Sequence, residues 1–379
     1  MKKWFLFCFI YLISAAHAQD EILQTQRMGY LQIGSYFQGW KIEGQIVPIN
    51  QISVPLVLAL PLGTNMHLIL THKPAYTWWE DQIKISGPSD TWVQMNYMLV
   101  RNAVLVNLGV GVPTGKTRLN NDQLLMTQLL SKNIFRFSLP VYGQGLCLKG
   151  GIAGAYPISD RVILGMGAQY IKKGSYYPVD YTYTYLVGNE LYSETYSPEY
   201  QAGDEISGQV GLDIAVSQDV KVMVDLMMTH YGRDMLDGVE TYGSGQKLMV
   251  EGGVFYRFPD EKYIWGHILY RRKGKSEIRQ GLDFESEEYN SSGNQFDVDI
   301  HADLTSAENA KFALLFNGRF YGENEYGVGK ANIAGAGVGM HYEASPTTDF
   351  DFHLKYLTGS TDDRSIEGME IYMAIKFEF

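Results

Sequence analysis

The side chains most able to do acid–base or metal chemistry are carboxylates and histidines in segments where polar and apolar residues alternate. Asp297, Asp299, His301 and Asp303 take every second position of one such segment. Side chains two positions apart on a strand are separated by about 6.6 Å, at which isolated carboxylates usually meet water instead of sharing a metal ion. We therefore expect these groups to line a wall, and predict no bound metal and no cofactor.

Motifs that would indicate an enzyme are missing or wrongly spaced. Residues 110–117 read VGVPTGKT and resemble a phosphate-binding loop, but Gly111 precedes Gly115 by four positions where that loop requires five. The sequence has no Gly-x-Ser-x-Gly nucleophile elbow and no His-Glu-x-x-His zinc helix. We therefore predict that the chain is not an enzyme.

The first residues have the features of an export signal. Two lysines precede an apolar run over residues 4–16, and Ala16 and Ala18 lie where a signal peptidase reads small residues. The run is too short to span a bilayer comfortably. We predict that residues 1–18 are a signal peptide and that the mature chain begins at Gln19.

Charge and cysteine usage narrow the class further. The formal charge is −11, which becomes −13 once the two lysines of the leader are removed, so nucleic acid and anionic lipid are poor partners. Cys8 lies inside the apolar run and not at the cleavage point, as a lipoprotein would require. Cys147 then remains alone, so no intramolecular disulfide forms.

Alternation of apolar and polar residues indicates the fold. Residues 295–304 place apolar side chains at even positions and mostly charged or amide side chains at odd ones, and 311–321 and 349–356 repeat the pattern. A barrel strand alternates lipid-facing and lumen-facing residues in this way over about ten residues. We predict an all-β chain, a transmembrane antiparallel β-barrel in meander order over residues 19–379. A soluble β-sandwich is the alternative for any single strand.

The connections and the C-terminus favour the barrel. Short turns alternate with longer polar or aromatic loops near 39–50, 73–90, 113–140, 173–203, 231–243, 272–292, 321–329 and 358–367. The last strand carries an apolar ladder that ends on the terminal residue: Met369, Ile371, Met373, Ile375, Phe377 and Phe379. That ladder resembles the signal by which bacterial barrel-assembly machinery recognises a last strand, so we expect Phe379 to contact that machinery.

The alternating segments number fourteen to sixteen. We count sixteen, near 27–37, 52–61, 66–72, 91–99, 103–112, 142–156, 161–172, 204–216, 219–230, 246–258, 262–272, 294–305, 310–320, 331–343, 348–357 and 368–379. Pro55 interrupts the second, since proline cannot donate a ladder hydrogen bond. Fourteen strands with a plug from residues 19–50 is therefore the alternative.

A barrel of this size is too wide for its wall side chains to close. The predicted lumen-lining residues are Glu251, Arg257, His267, Arg271, Asp297, Asp299, His301, Asp303, Lys311, Arg319, Asp351 and His353. They either pair across strands and stiffen the wall, or line a hydrated path that orients a permeant. These two interpretations are compatible.

The long loops are rich in apolar and aromatic residues. Eight tyrosines lie in 173–203, and leucines and a methionine at helical spacing predict an amphipathic helix over 121–135 whose apolar face turns to the barrel mouth. Part of this set belongs to the aromatic belt of a membrane protein. The residues predicted to capture an apolar ligand are Trp78, Trp79, Leu125, Leu129, Tyr181, Tyr183 and Tyr185.

Residues 85–175 resemble a known family. The sequence GPSDT from Gly87 leads into a strand ending at Tyr97, and the strand at 104–112 is followed by Pro-Thr-Gly. This stretch resembles the outer-membrane transporters for hydrophobic compounds, namely the long-chain fatty-acid transporter family and its phenol meta-pathway relatives. The resemblance implies a fourteen-strand barrel, an N-terminal plug and mobile third and fourth extracellular loops that capture a greasy ligand. The Asn-Pro-Ala element of the fatty-acid transporter plug is absent here.

The sequence thus predicts a passive transporter or channel in the outer membrane of a Gram-negative bacterium. Its permeant would be a small hydrophobic or amphipathic molecule captured by aromatic extracellular loops. Outer-membrane lipid would surround the barrel. Two alternatives stay open. One is a general diffusion porin whose charged lumen selects among solutes, and the other is a structural or adhesion barrel whose loops bind a partner.

Overall fold

The computed structural model describes residues 29–44, 47–79, 83–100, 103–188, 190–259, 262–307 and 309–379. The predicted signal peptide and the predicted mature N-terminus at Gln19 lie outside these residues and stay predictions. Within the described residues the backbone is mostly β-structure, with one α-helix. No helix in this part of the chain is long and apolar enough to cross a membrane.

Sixteen strands form the wall of a single barrel, and three of them are interrupted once. They are β1 (Tyr30–Ile42), β2 (Ile49–Ser53 and Leu56–Pro61), β3 (Met66–His72 and Pro74–Trp79), β4 (Ile83–Pro88 and Thr91–Val100), β5 (Val104–Val112), β6 (Cys147–Ser159), β7 (Val162–Lys173), β8 (Glu205–Ala215), β9 (Val220–Tyr231), β10 (Lys247–Arg257), β11 (Tyr263–Lys273), β12 (Gln295–Ala307), β13 (Ala310–Tyr321), β14 (Ala331–Ser345), β15 (Thr348–Thr361) and β16 (Arg364–Glu378).

The barrel is closed by its first and last strands. Each strand pairs antiparallel with the next in the chain, and β1 pairs antiparallel with β16 from Tyr30 opposite Glu378 to Ile42 opposite Ile366. This confirms the predicted all-β meander barrel with sixteen strands. The fourteen-strand alternative is wrong, because residues 30–42 and 49–53 form wall strands instead of a plug.

Alternating side chains on each strand divide between an outer and an inner face. On β9, Val224, Leu226 and Met228 are exposed, whereas the intervening Asp225 and Met227 are only partly exposed. The same division recurs on β12, where Phe296 and Ile300 are exposed and Asp297 is fully buried. In a closed sheet the exposed apolar side chains form a belt on the outside, which lipid covers. The sandwich alternative is therefore wrong.

The interruption in β2 contains Pro55, and those in β3 and β4 lie beside Pro74 and Pro88. Pairing continues past Pro55, because the amide of Val54 donates to the carbonyl of Pro74 at 2.8 Å and that of Gly34 to the carbonyl of Pro55 at 2.8 Å. Residues 74–79 and 83–88 are paired strands, so most of the predicted loop at 73–90 is wall. The predicted loop at 39–50 also shortens, since β1 continues to Ile42. Most of the predicted loop at 358–367 is wall as well, because β15 runs to Thr361 and β16 begins at Arg364.

The five connections longer than six residues gather at one end of the barrel, and Gly29 and Phe379 lie at the other. By the usual rule the long connections face outside. Several of them continue as β-structure: a hairpin of Tyr181–Val187 with Glu190–Tyr196, and a small sheet of Ser175–Tyr176, Tyr200–Gln201, Arg233–Leu236, Val239–Gly243, Glu277–Gln280 and Asp283–Ser286. The outer rim of β7–β12 is therefore raised above the barrel.

An introduced charge should destabilise the barrel by different amounts at two adjacent residues of β9. We expect Leu226→Arg to lower the free energy of unfolding in lipid by about 2–4 kcal/mol, because an outward arginine near mid-strand meets hydrocarbon. Met227→Arg points inward and should cost much less. Urea unfolding in lipid vesicles, followed by heat-modifiable migration, measures both; equal costs, or the reverse order, would contradict the assigned faces.

Candidate functional site

The connection between β5 and β6, residues 113–146, folds into the barrel; we call it loop 3. It begins with α1 (Asn121–Leu130), whose first turn is closed by a reciprocal capping pair between Asn120 and Gln123. Met126 and Leu130 are buried, and Gln123 Nε2 donates to the carbonyl of Lys84 on β4 at 2.9 Å. The helix therefore lies against the upper part of β4.

The helix differs from its prediction in length and in the face that packs. It ends at Leu130 instead of residue 135. Leu129 is partly buried against the interior cluster, but Leu125 is 55% exposed. Of the two leucines predicted for ligand capture, Leu129 thus contributes to packing and Leu125 lies at the surface.

Beyond the helix, loop 3 supplies an apolar core to the inside of the barrel. Phe135, Phe137 and Leu139 are buried in one cluster with inward residues of the wall, and the rings of Phe135 and Trp40 meet edge-on at 5.6 Å. The wall residues of this cluster are Trp40, Ile49, Ala75, Ile85, Tyr321, Ala331, Ile333, Leu357 and Ile366. Burial of this area holds the loop against the inner faces of β1–β4 and β13–β16.

Two glutamines on neighbouring strands hold the loop backbone. Gln38 Nε2 donates to the carbonyl of Arg136 at 3.0 Å, and its Oε1 accepts from the amide of Ser138 at 2.7 Å. Gln51 Nε2 donates to the carbonyl of Leu139, and its Oε1 accepts from the Leu139 amide, both at 3.0 Å. Both glutamines are fully buried. Their amides therefore satisfy loop groups that would otherwise be buried without partners.

The Gln51 contact continues into a chain of hydrogen bonds. Gln51 Nε2 also donates to Thr77 Oγ1 at 3.1 Å, Thr77 Oγ1 lies 2.7 Å from the hydroxyl of Tyr142, and that hydroxyl donates to the carbonyl of Ile85 at 3.1 Å. Burial raises the pKa of Tyr142 to about 12, so its hydroxyl stays protonated at physiological pH. Connected hydrogen bonds of this kind polarise and strengthen each other.

A cluster of charges fixes the tip of loop 3. Arg136 lies 3.1 Å from Asp297 and 3.1 Å from Asp299 on β12, and Arg271 lies 3.2 Å from the second oxygen of Asp297. Burial lowers the pKa of Arg136, but the adjacent Asp299 and Asp297 outweigh that effect and raise it overall. Arg136 has a positive φ of 48°, a conformation that costs energy in a non-glycine residue. These contacts offset that cost.

A second buried ion pair supports the loop from the far side. Arg319 on β13 lies 2.6 Å from Glu370 on β16, and it donates to the carbonyl of Ile134 in loop 3 at 2.6 Å. Both partners are almost completely buried. If one partner of a buried pair is removed, the other charge stays buried without compensation, which is costly. The pair therefore holds Arg319, and the loop carbonyl that it binds, in one position.

The inner faces of β8–β10 differ from the side that loop 3 covers. Inward side chains such as Gln209, Asp225 and Met227 are partly exposed, whereas the inward Gln38 and Gln51 are fully buried under the loop. Loop 3 therefore divides the interior into a filled side at β1–β4 and β13–β16 and a more open side at β8–β10.

The other predicted lumen-lining residues form pairs along the wall. His267 Nε2 lies 2.6 Å from Glu251, His301 Nε2 lies 3.1 Å from Asp303, and Asp351 lies 2.8 Å from His341. Arg257 lies 3.5 Å from Asp219 and Lys311 lies 3.8 Å from Glu343, both in exposed positions, and the His353 ring lies 5.5 Å from that of Tyr372. A role for these residues in transport stays a prediction.

The predicted capture residues do not share one surface. Trp78 stacks on Tyr76 at 5.3 Å and lies 6.5 Å from Phe37, all on the outer face, whereas Trp79 packs against the interior cluster. The assignment of Trp78 and Trp79 to an extracellular loop is wrong, because both lie on paired β3, where neighbouring residues face opposite sides.

The predicted tyrosines share one face of the exposed hairpin. Tyr181, Tyr183 and Tyr185 alternate along one strand, and Tyr185 stacks on Tyr192 of the other at 6.1 Å. Tyr181 is paired with Tyr196, which adds a fifth ring to this face. All five tyrosines are exposed.

Several site residues escaped the sequence analysis. Gln38, Gln51 and Glu370 are polar residues at inward positions of wall strands, a signal that alternation alone could have provided. Arg136 could not be found this way, because loop 3 brings it to Asp297 across about 160 residues of sequence. In the described part of the chain, no three His, Cys, Asp or Glu side chains are grouped to hold a metal ion.

Fold and site together define a class: a closed transmembrane β-barrel with one loop docked inside its lumen. No family model and no curated protein matches the chain. Similar solved structures include the CymD monoaromatic hydrocarbon channel, at 13% identity and a TM-score of 0.46 over 94% of this chain and 90% of that one. The toluene transporter TbuX of Ralstonia pickettii is 12% identical, with a TM-score of 0.42 over 93% and 90%.

A triple mutant of the Rhodopseudomonas blastica porin is 11% identical, with a TM-score of 0.39 over 93% of this chain and all of that one. CymD and TbuX belong to the class of hydrophobic-compound transporters that the sequence resembles. At these scores the likeness carries no argument about a substrate, and the barrel assignment depends on the strand pairing itself.

Removing the two glutamines should release loop 3. We expect the double variant Gln38→Leu/Gln51→Leu to raise trypsin cleavage after Arg136 about tenfold, because buried loop amides and carbonyls lose their partners, each worth about 1–3 kcal/mol. Cleavage is measured by mass spectrometry of the folded protein in detergent. Gln209→Leu removes an inward glutamine on the opposite wall and should change nothing. Equal cleavage in all three proteins would show that the glutamines do not hold the loop.

Proposed function

We propose that this protein is a passive outer-membrane channel for small molecules, in a Gram-negative bacterium, with loop 3 setting the width of the path. The observation that carries the proposal is the anchoring of loop 3 inside the barrel by Gln38, Gln51 and the Arg136 cluster. A loop that sealed the barrel would bury the inward polar residues of β8–β10, but these residues stay partly exposed.

We further propose that the permeant is hydrophobic or amphipathic and that the tyrosine face of the hairpin captures it. Five tyrosines on one face of an exposed hairpin present a large apolar area whose hydroxyls tolerate water. Leu119 of loop 3 pairs with Val179 at the base of this hairpin, and Arg118 lies 3.6 Å from Asp180. The base of the hairpin is therefore attached to the first part of loop 3.

A general diffusion porin is the second candidate, and the charged interior favours it. Arg136, Asp297, Asp299 and Arg271 place both signs of charge at one level of the lumen. Such a field would orient polar solutes and would not need an apolar capture surface.

Uptake of an apolar dye separates the two candidates. Substituting Tyr181, Tyr183 and Tyr185 by Ser should lower the initial uptake of N-phenyl-1-naphthylamine by cells about tenfold, since each aromatic contact contributes about 0.5–1.5 kcal/mol. The matched control Leu186→Ser/Leu191→Ser alters the opposite face of the same hairpin and should leave uptake near the wild-type rate.

Liposome swelling in glucose completes the comparison. Rapid swelling with dye uptake unchanged by the tyrosine substitutions would favour the porin. If the protein gives no swelling, no ionic current in planar bilayers and no dye uptake, both transport functions are rejected and a structural or adhesion barrel is favoured.

We also propose that barrel-assembly machinery recognises the C-terminal ladder. Phe379 is 62% exposed, while its backbone amide and carbonyl both bond to Gly29 at 2.9 Å. We expect Phe379→Ser to lower the amount of folded barrel in the outer membrane several-fold with little effect on refolding into pure lipid, as judged by heat-modifiable migration. An equal loss in both assays would indicate a defect of folding instead of recognition.

A further inference from the structure

Five ring side chains gather on the inner faces of β10, β11 and β12. They are Phe255, Tyr263, Trp265, His267 and His301, and we call them the ring strip. Their inward direction follows from their neighbours, because Val254, Ile264, Ile268 and Ile300 at the alternate positions are exposed on the outer face. Both histidines were predicted to line the lumen, but the strip as a whole was not.

The rings of the strip are stacked. Phe255 and Tyr263 have centroids 5.4 Å apart at 29°, and Tyr263 and His301 have centroids 5.2 Å apart at 8°. Trp265 and His267 form a second stack at 5.5 Å and 8°. From residue 263 to 267 a strand advances about 13 Å, so the strip covers an area larger than one six-membered ring.

The strip begins where loop 3 ends its contact with the wall. Arg136 binds Asp299, and Asp299 is paired with His267 across β11 and β12. Further from the long loops, Trp265 is paired with His301, and the amide of Tyr263 donates to Asp303. A molecule that has passed the tip of loop 3 therefore meets the strip next.

Hydrogen-bonding groups lie along the edges of the strip. Glu251 lies 2.6 Å from His267, and Asp303 lies 3.1 Å from His301 and accepts from the amide of Tyr263 at 3.2 Å. The indole N–H of Trp265 is buried and has no hydrogen-bond partner among the described residues. All five rings keep partial exposure, in contrast to the rings under loop 3.

We propose that the ring strip is an internal binding surface for an uncharged ring compound that carries hydroxyl groups. A ligand ring would extend one of the stacks or lie edge-on against it, since both arrangements are favourable for aromatic faces. Its hydroxyls would donate to Glu251 or Asp303 and accept from Trp265. Anions are disfavoured, because Glu251, Asp299 and Asp303 surround the strip.

This inference rests on the proposed channel and adds a site of transient binding below the constriction. Phenolic and sugar rings share the required chemistry, a flat or apolar face with hydroxyls at the edge. Weak binding at such a site raises the local concentration of the permeant without blocking its exit.

Titrations of the purified full chain in lipid nanodiscs test the site, with phenol and glucose as separate probes and saturation-transfer NMR as the readout. Phe255→Leu/Tyr263→Leu should weaken binding of the responsive probe about tenfold, since two aromatic contacts are lost. Tyr256→Leu is the matched control, because Tyr256 lies beside Phe255 but faces outward. Trp265→Phe keeps the ring, removes the free donor and should weaken binding about threefold.

Binding of phenol, of glucose or of both, with this pattern among the variants, supports the site and identifies its ring source. Absence of saturable binding by either probe, or equal losses in Tyr256→Leu and the inward double variant, overturns it. Ionic current through the same proteins in planar bilayers reports on the channel independently. Persistent current without ring binding would reject the ring strip as a binding site and leave the proposed channel function intact.

Discussion

A strand in lipid cannot leave backbone hydrogen bonds unmade, and this constraint governs the whole structure. Each unpaired amide or carbonyl in hydrocarbon costs several kcal/mol, so the sheet must close on itself. Here closure is made by thirteen consecutive register pairs between β1 and β16. Closure in turn forces every strand to have an inside and an outside, and the two-residue period of a strand assigns alternate side chains to each.

Closure creates a second problem, which loop 3 solves. Sixteen strands enclose a space that inward side chains cannot fill. Loop 3 brings an apolar cluster to one side of that space and anchors its backbone through Gln38 and Gln51. The charges of Arg136 and Arg271 are then balanced by those of Asp297 and Asp299 at the tip. Because these groups are buried, their interactions are strong when satisfied and costly when one partner is missing.

The opposite side of the interior keeps its inward side chains partly exposed. The proposed path and the ring strip both lie outside the apolar cluster of loop 3, and the Arg136 contacts connect them through β12. One loop thus narrows the lumen, and in the proposed channel it would determine which wall a permeant meets. The stacked hairpin of tyrosines outside and the stacked rings inside would present similar chemistry at the two ends of that passage.

The sequence by itself determined the fold class and most strand positions, because alternation along a strand is a local property. The alternation around Phe296 and Asp297 was enough to assign each side chain to a face, without information on which strand pairs with it. It was less successful at residues 73–90, where Trp78 and Trp79 were assigned to a loop although pairing continues past Pro74 and Pro88. The docking of loop 3 was decided only by tertiary structure. Gln51 and Leu139, or Arg136 and Asp297, lie far apart in the chain, and no local period connects them. Their contact exists because the closed wall brings them within hydrogen-bonding distance and excludes the water that would otherwise satisfy them.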